Sequence, residues 1–172
     1  DHILVNGAEC EPYLTCDYRL MMEQGEKIME GLKIVLTLFP EAKAVIGIED
    51  NKPEAISHLQ SLCQGVDRIE VAALKAKFPQ GSEKHLIKAI TGREVPSGGL
   101  PAAVGCIVDN VDTIISIYQA VAEGMPLVRR IFTVTGGAPA NPGNYEIRIG
   151  MTMKDLMEQT GGFKTEPKKL IA

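Results

Sequence analysis

Short unbroken apolar runs at Ile3-Leu4-Val5, Ala44-Val45-Ile46-Gly47-Ile48 and Cys106-Ile107-Val108 most narrow the folds open to this chain. They are too short for helices and do not alternate with polar residues, which marks strands buried on both faces. Arg68-Ile69-Glu70-Val71 reads as a further strand. Between the runs the apolar spacing becomes helical. From Asp17 to Phe39 it passes through Leu20, Met21, Ile28, Leu32, Val35 and Leu36, with Asp17 placed to cap one helix and Pro40 to stop it. Pro53 opens a second helix that Gly65 ends, and Ser82 caps a third that runs through Ile90, with Gly92 as its left-handed terminator. Asp112 to Ala122 forms a fourth. This order predicts an α/β fold: a twisted, open, mainly parallel sheet with helices on both faces.

The pattern changes after Pro126. Arg130 to Thr135 alternates, a loop of Gly, Pro and Asn follows, and Tyr145 to Ile149 alternates again, as in a hairpin with a long connection. Thr152 then caps a short helix carrying Leu156 and Met157, ended by Gly161-Gly162, and Leu170-Ile171 reads as a last strand cut short at Ala172. The expected organisation is therefore one α/β domain over 1–126 and a small β-grasp-like module over 127–172.

Charge and cysteine usage exclude several classes. The 22 acidic residues outnumber the 18 basic ones and form no basic stripe, which argues against nucleic-acid binding. No apolar run approaches the roughly 20 residues that span a bilayer, so direct membrane insertion is not expected. Cys10, Cys16, Cys63 and Cys106 lack the clustered spacing of an iron–sulfur or zinc site, and His2, His58 and His85 are scattered. The expectation is reduced, mostly buried thiols, solvated histidines, no disulfide and no metal. The start at Asp1-His2 resembles no signal peptide and reads as a cut within a longer protein.

The segment after the first strand, Asn6-Gly7-Ala8-Glu9-Cys10-Glu11, sits where open α/β sheets bind ligands, beyond the carboxyl ends of the strands. Asn6 offers donors and acceptors, Gly7 lets backbone approach a ring, and Glu9 and Glu11 can accept from ribityl or ribose hydroxyls. The same residues would serve an ordinary strand-to-helix turn, and spacing does not separate the two. Gly92 to Pro101 lacks the Gly-Lys-Ser/Thr of a Walker loop. It reads first as a rigid loop ordering the sheet edge, and second as a place where Arg93 neutralises a cofactor phosphate.

Together with Asp17-Tyr18-Arg19-Leu20-Met21, Gly47 to Pro53, Phe78 to Lys84, Gly92 to Pro101, Asp109-Asn110-Val111, Val134-Thr135-Gly136 and Asn141 to Asn144, that segment resembles the C subunit of the Rnf ion-translocating ferredoxin:NAD oxidoreductases. The likeness covers essentially the whole chain, and more distantly it extends to the flavin-bearing NADH-binding subunit of respiratory complex I. It implies a Rossmann-like flavin- and NADH-binding domain followed by a soluble ligand-binding β-grasp (SLBB) module. It implies FMN and NADH as cofactors, and two four-iron four-sulfur clusters whose ligands lie beyond Ala172. Partners would be the other subunits of an electron-transport complex, docked peripherally on the cytoplasmic face of the cell membrane.

Carried over by position, the flavin contacts fall on Asn6, Gly7, Glu9, Gly81, Glu83, Asn110 and Thr113, and Glu11 and Glu83 suit ribose or nicotinamide. No residue is assigned a catalytic role. Ala8, Ser82 and Asp109 depart from the complex I pattern, which has an acidic residue, a second Glu and Asn there, and Ala8 fits the Rnf pattern. The family's glycine-rich phosphate loop lies upstream of the segment matched by Ile3 to Gly7, so this stretch alone should be inactive and bind flavin at least about ten-fold more weakly, a change of roughly 1.4 kcal/mol. The competing expectation is a non-catalytic scaffold for partner redox subunits, as illustrated by the related A subunit of the sodium-pumping NADH:quinone reductase.

Overall fold

The computed structural model describes residues 1–171. The chain separates into two compact units, one made of Asp1–Pro12 and Asp17–Pro126, the other of Tyr13–Cys16 with the chain from Leu127 on.

In the first unit β1 (His2–Asn6), β2 (Lys43–Glu49), β3 (Ile69–Leu74) and β4 (Cys106–Asn110) form a parallel sheet in the order β3-β2-β1-β4. The central strands carry the apolar runs because both of their faces are covered. Leu4, Val45 and Cys106 pack with Leu74 beneath Leu86 and Ile87 of α4 (Glu83–Thr91). The opposite side is covered by α2 (Gly25–Leu38), α3 (Pro53–Cys63) and α5 (Val111–Ala122), with α2 lying against both of the others. Gly31 permits that closeness, since a Cβ there would collide with the Ile114 carbonyl of α5. Strand order reverses between β1 and β4, which makes their shared carboxyl end the switch point where such sheets take ligands.

Several local expectations are corrected. The single helix from Asp17 to Phe39 is two, α1 (Cys16–Glu23) and α2, separated at Gln24. Apolar spacing runs through the break. The cause is tertiary: Gly25 lies so close to α3 that a Cβ would sit 2.8 Å from His58 and Leu62. Asp17 is inside the first turn of α1 rather than at its cap. Ser82 holds the N-cap position of α4 without a side-chain cap bond, and Gly92 ends that helix in the left-handed region at φ 73°. His2 is not a solvated histidine but opens β1 half-buried, where desolvation, then the Arg93 charge, lower its pKa. Of the four free cysteines only Cys106 is buried, so most thiols are less covered than expected.

In the second unit β5 (Arg129–Val134) pairs antiparallel with β6 (Gly143–Arg148), and α6 (Met153–Gln159) follows. The Thr152 side chain accepts from the Asp155 amide to cap α6. Val134, Pro139 and Leu156 are buried here. Phe163 bridges Pro139, and Lys164 N donates to the Ala138 carbonyl at 2.9 Å. Leu170 and Ile171 form no strand and are 62% and 86% exposed. An apolar pair alone cannot make a strand without a neighbour to complete its hydrogen bonds. Ala172 lies outside the described residues.

Candidate functional site

Asn6 ends β1, Asn110 ends β4, and the two are register partners on adjacent strands. Each carboxamide is fixed by the protein. Asn6 Nδ2 donates to the Gly81 carbonyl at 2.8 Å, and its Oδ1 accepts from Ala8 N at 3.2 Å. Asn110 Nδ2 donates to Asp17 Oδ2 at 2.7 Å, while its Oδ1 accepts from Asp112 N at 2.8 Å and caps α5. An amide group has two donor hydrogens and two acceptor lone pairs. Each asparagine therefore has one of each beyond these bonds, while being held still by its neighbours.

Gly81 joins this set from the loop between β3 and α4. Its carbonyl meets Asn6, and its amide donates to Cys10 Sγ at 3.3 Å. Gly7 is buried where a Cβ would sit 2.8 Å from Met21 Sδ and 3.3 Å from the Gly47 carbonyl, so a larger residue there would have to displace Met21. Sequence reading missed Cys10, whose role is legible only once the loop after β3 is seen folded onto it.

The carboxylates are arranged differently. Glu9, at φ 49°, turns inward, and its oxygens accept from Asp17 N at 2.8 Å and Tyr18 N at 3.3 Å. First-turn amides cannot bond within their own helix, so Glu9 caps α1 from outside it. Burial raises its pKa, opposed by the same backbone bonds. Glu11 and Glu83 are exposed, Glu83 in the first turn of α4 and Glu11 beside Cys10. Thr113 is half-buried in the first turn of α5, and burial raises the pKa of neighbouring Asp109. The structure thus ties Asn6, Cys10 and Gly81 together directly and sets Asn110 alongside. Glu11, Glu83 and Thr113 stand at the ends of the adjoining elements.

Arg93 is not available for a phosphate at this end of the sheet. Its guanidinium donates to Asp1 Oδ2 at 2.8 Å and to the Val104 carbonyl at 2.6 Å, beside the amino-terminal ends of β1 and β4. A cavity of about 380 Å³ also opens at that opposite end, lined by His2, Leu38, Phe39 and Ile107, and none of the site residues lines it. Glu49 and Lys52, after β2, are a second omission of the sequence reading. A Glu-x-x-Lys at a strand end reads as solvated charge, yet Glu49 is buried here and Lys52 is half-buried beside it.

Residues 1–119 match the Nuo51 FMN-binding domain, and residues 131–171 match the SLBB domain. The whole chain is 51% identical to the C subunit of the proton-translocating ferredoxin:NAD(+) oxidoreductase complex of Clostridium ljungdahlii, covering 37% of that protein. It is 49% identical over its full length to the C subunit of the Na(+)-translocating complex of Acetobacterium woodii, covering 39% of it. The chain therefore spans little more than a third of these relatives. In fold it is similar to a chain of the NAD+-reducing [NiFe]-hydrogenase in the air-oxidized state, with a TM-score of 0.77, 20% identity, and coverage of 95% of this chain and 33% of that one. The donor set at the switch point fits FMN. The pyrimidine edge of a flavin alternates acceptor, donor and acceptor, which half-committed carboxamides and peptide groups complement.

Proposed function

Because the chain belongs to the family of the Nuo51 FMN-binding domain, we propose that it is the flavin-holding part of a redox subunit working between NADH, bound FMN and downstream iron–sulfur clusters. The observation that carries this reading is the pairing of Asn6 with Asn110 across the switch point, each with donor and acceptor capacity left over.

A bound FMN supplies the hydride and single-electron chemistry that protein side chains lack. In this reading Asn6, Asn110 and the Gly81 peptide bind and orient the ring edge, and Gly7 keeps the floor of the site open. Thr113 adds a hydroxyl beside Asn110. Glu11 and Glu83, both exposed, accept hydroxyl hydrogens from the ribityl chain or the nicotinamide ribose. Glu9 holds α1 against the loop. The two four-iron four-sulfur clusters belong to parts of the full-length protein outside these residues, and the isolated stretch is inactive because it is little more than a third of the working protein.

Other members of the complex are the proposed partners. No helix among the described residues is long and apolar enough to cross a membrane, and association with the cytoplasmic face is proposed to be peripheral. Relatives named for proton and for sodium translocation match almost equally well, which supports placing the choice of ion elsewhere. The test is an anaerobic NADH titration of the full-length protein, followed at the flavin absorbance bands. Bleaching in the wild type, and loss of bound flavin in Asn6→Leu, are expected. A full-length protein that neither retains nor rebinds FMN would leave the scaffold reading standing instead.

A further inference from the structure

At the carboxyl end of β2, Glu49 is 3% exposed. Its Oε2 lies 3.6 Å from Lys52 Nζ, and its Oε1 accepts from the backbone amide of Lys77 at 3.1 Å. Lys52 Nζ in turn donates to the Ala8 carbonyl at 2.8 Å and to Asn51 Oδ1 at 3.2 Å. An ammonium has three donor hydrogens and no acceptor. Two of these are committed to protein oxygens, and the Glu49 charge stands beside the third.

These bonds close a ring through three strand-end loops. Lys52 joins the loop after β2 to the loop after β1 at Ala8. Glu49 joins it to the loop after β3 at Lys77, reinforced by the Ala76 amide donating to Asp50 Oδ1 at 3.0 Å. The loops after β3 and β1 then meet where Asn6 holds the Gly81 carbonyl and Cys10 the Gly81 amide. Glu49 and Lys52 stand three residues apart in one loop, so the chain itself closes the ring, and the ion pair fixes the two side chains that make its outward links. A buried pair adds little net stability over apolar residues of the same shape, because desolvation offsets the attraction. What it does supply is a fixed geometry, and a binding site needs its contact groups held to within about 0.5 Å.

We propose that Glu49 and Lys52 are positioning residues of the flavin site, locking the loops after β1, β2 and β3 into one frame that presents Asn6 and the Gly81 peptide to the ligand. The proposal rests on the flavin reading above.

The test uses the full-length protein stripped of flavin, with Glu49→Gln/Lys52→Met as the principal variant and Lys52→Arg as the conservative one. The double variant is expected to melt close to the wild type, because both charges leave together. Its FMN dissociation constant is expected to rise by about ten-fold or more, the scale seen when outer supports of a site are removed. Lys52→Arg should restore most of the affinity, and the Lys77 and Gly81 amides should lose hydrogen-exchange protection only in the double variant. A folded double variant with wild-type FMN affinity would overturn the proposal. Should the double variant not fold, Lys52→Gln takes its place with the same readouts. Rapid, loop-like exchange at the Lys77 amide in the ligand-free wild type would overturn it independently of any variant. Failure of the wild type itself to bind FMN would count against the flavin reading, while the exchange measurement would still judge the frame.

Discussion

The two units are held together by different means. In the first, Leu4, Ile46 and Ile48 are fully buried between layers of helix, and the two central strands, β1 and β2, are paired on both sides. In the second, few apolar side chains are buried among the described residues, Val134, Pro139 and Leu156 being the main ones, and polar side chains supply much of the order. Asn141 Nδ2 donates to the Thr160 carbonyl at 3.0 Å, Tyr145 Oη to the Asn141 carbonyl at 2.7 Å, and Thr133 Oγ1 to Asn144 Oδ1 at 2.8 Å. A core that excludes water can hold strand-end loops precisely enough for a site. A small unit tied by hydrogen bonds of about 1 kcal/mol each suits a role that depends less on such precision.

The contrast breaks most easily in the core. Ile46→Ala should cost about 4 kcal/mol, within the range for emptying a buried aliphatic site, and should lower the urea midpoint of the first unit. Leu156→Ala should cost about 2 kcal/mol, at the low end of that range because its surroundings can collapse. Its effect should be confined to the second unit, Tyr13–Cys16 and the chain from Leu127 on, when followed by amide exchange. Equal costs at the two positions would erase the distinction.

Glu9 offers a smaller and sharper probe. Burial raises its pKa above the ordinary 4.5, so the folded chain holds the proton more tightly than the unfolded chain. The associated stability is fully present below 4.5 and is lost as pH rises through the raised folded value. Glu9→Gln should remove that slope, and the wild-type minus variant difference in unfolding free energy should fall across that window. A difference that does not change with pH would mean that Glu9 is as well solvated as in the unfolded chain.

The strands were legible because a doubly covered parallel strand can tolerate little but Val, Ile, Leu and Ala, as Ile3 to Val5 and Ala44 to Ile48 show. The break at Gln24 was not, because Gly25 is a weak local signal and its close approach to α3 comes from another segment. The apolar pair Leu170-Ile171 misled in the opposite direction, promising a strand where no ladder partner reaches it. Within the site, the loops at Asn6, Gly81 and Asn110 could be found as strand ends. Their convergence on one end of the sheet was expected from that alone, but the direct pairing of Asn6 with Asn110 was not, since chain order does not reveal that β4 lies beside β1. The capping role of Glu9 and the burial of Glu49 with Lys52 were hidden for the same reason: each depends on a partner from another segment.

If the carboxyl ends of β1 and β4, with the Gly81 loop, form the flavin site, then FMN must perturb those loops before anything else. FMN titration into isotope-labelled full-length protein, read as amide chemical-shift changes, measures this residue by residue. The largest shifts should fall on Asn6 to Cys10, Gly81 to Glu83 and Asn110 to Thr113, with β5 and β6 unmoved. Shifts centred on the amino-terminal cavity around His2, Phe39 and Ile107, or on the second unit, would place the flavin elsewhere and contradict this assignment.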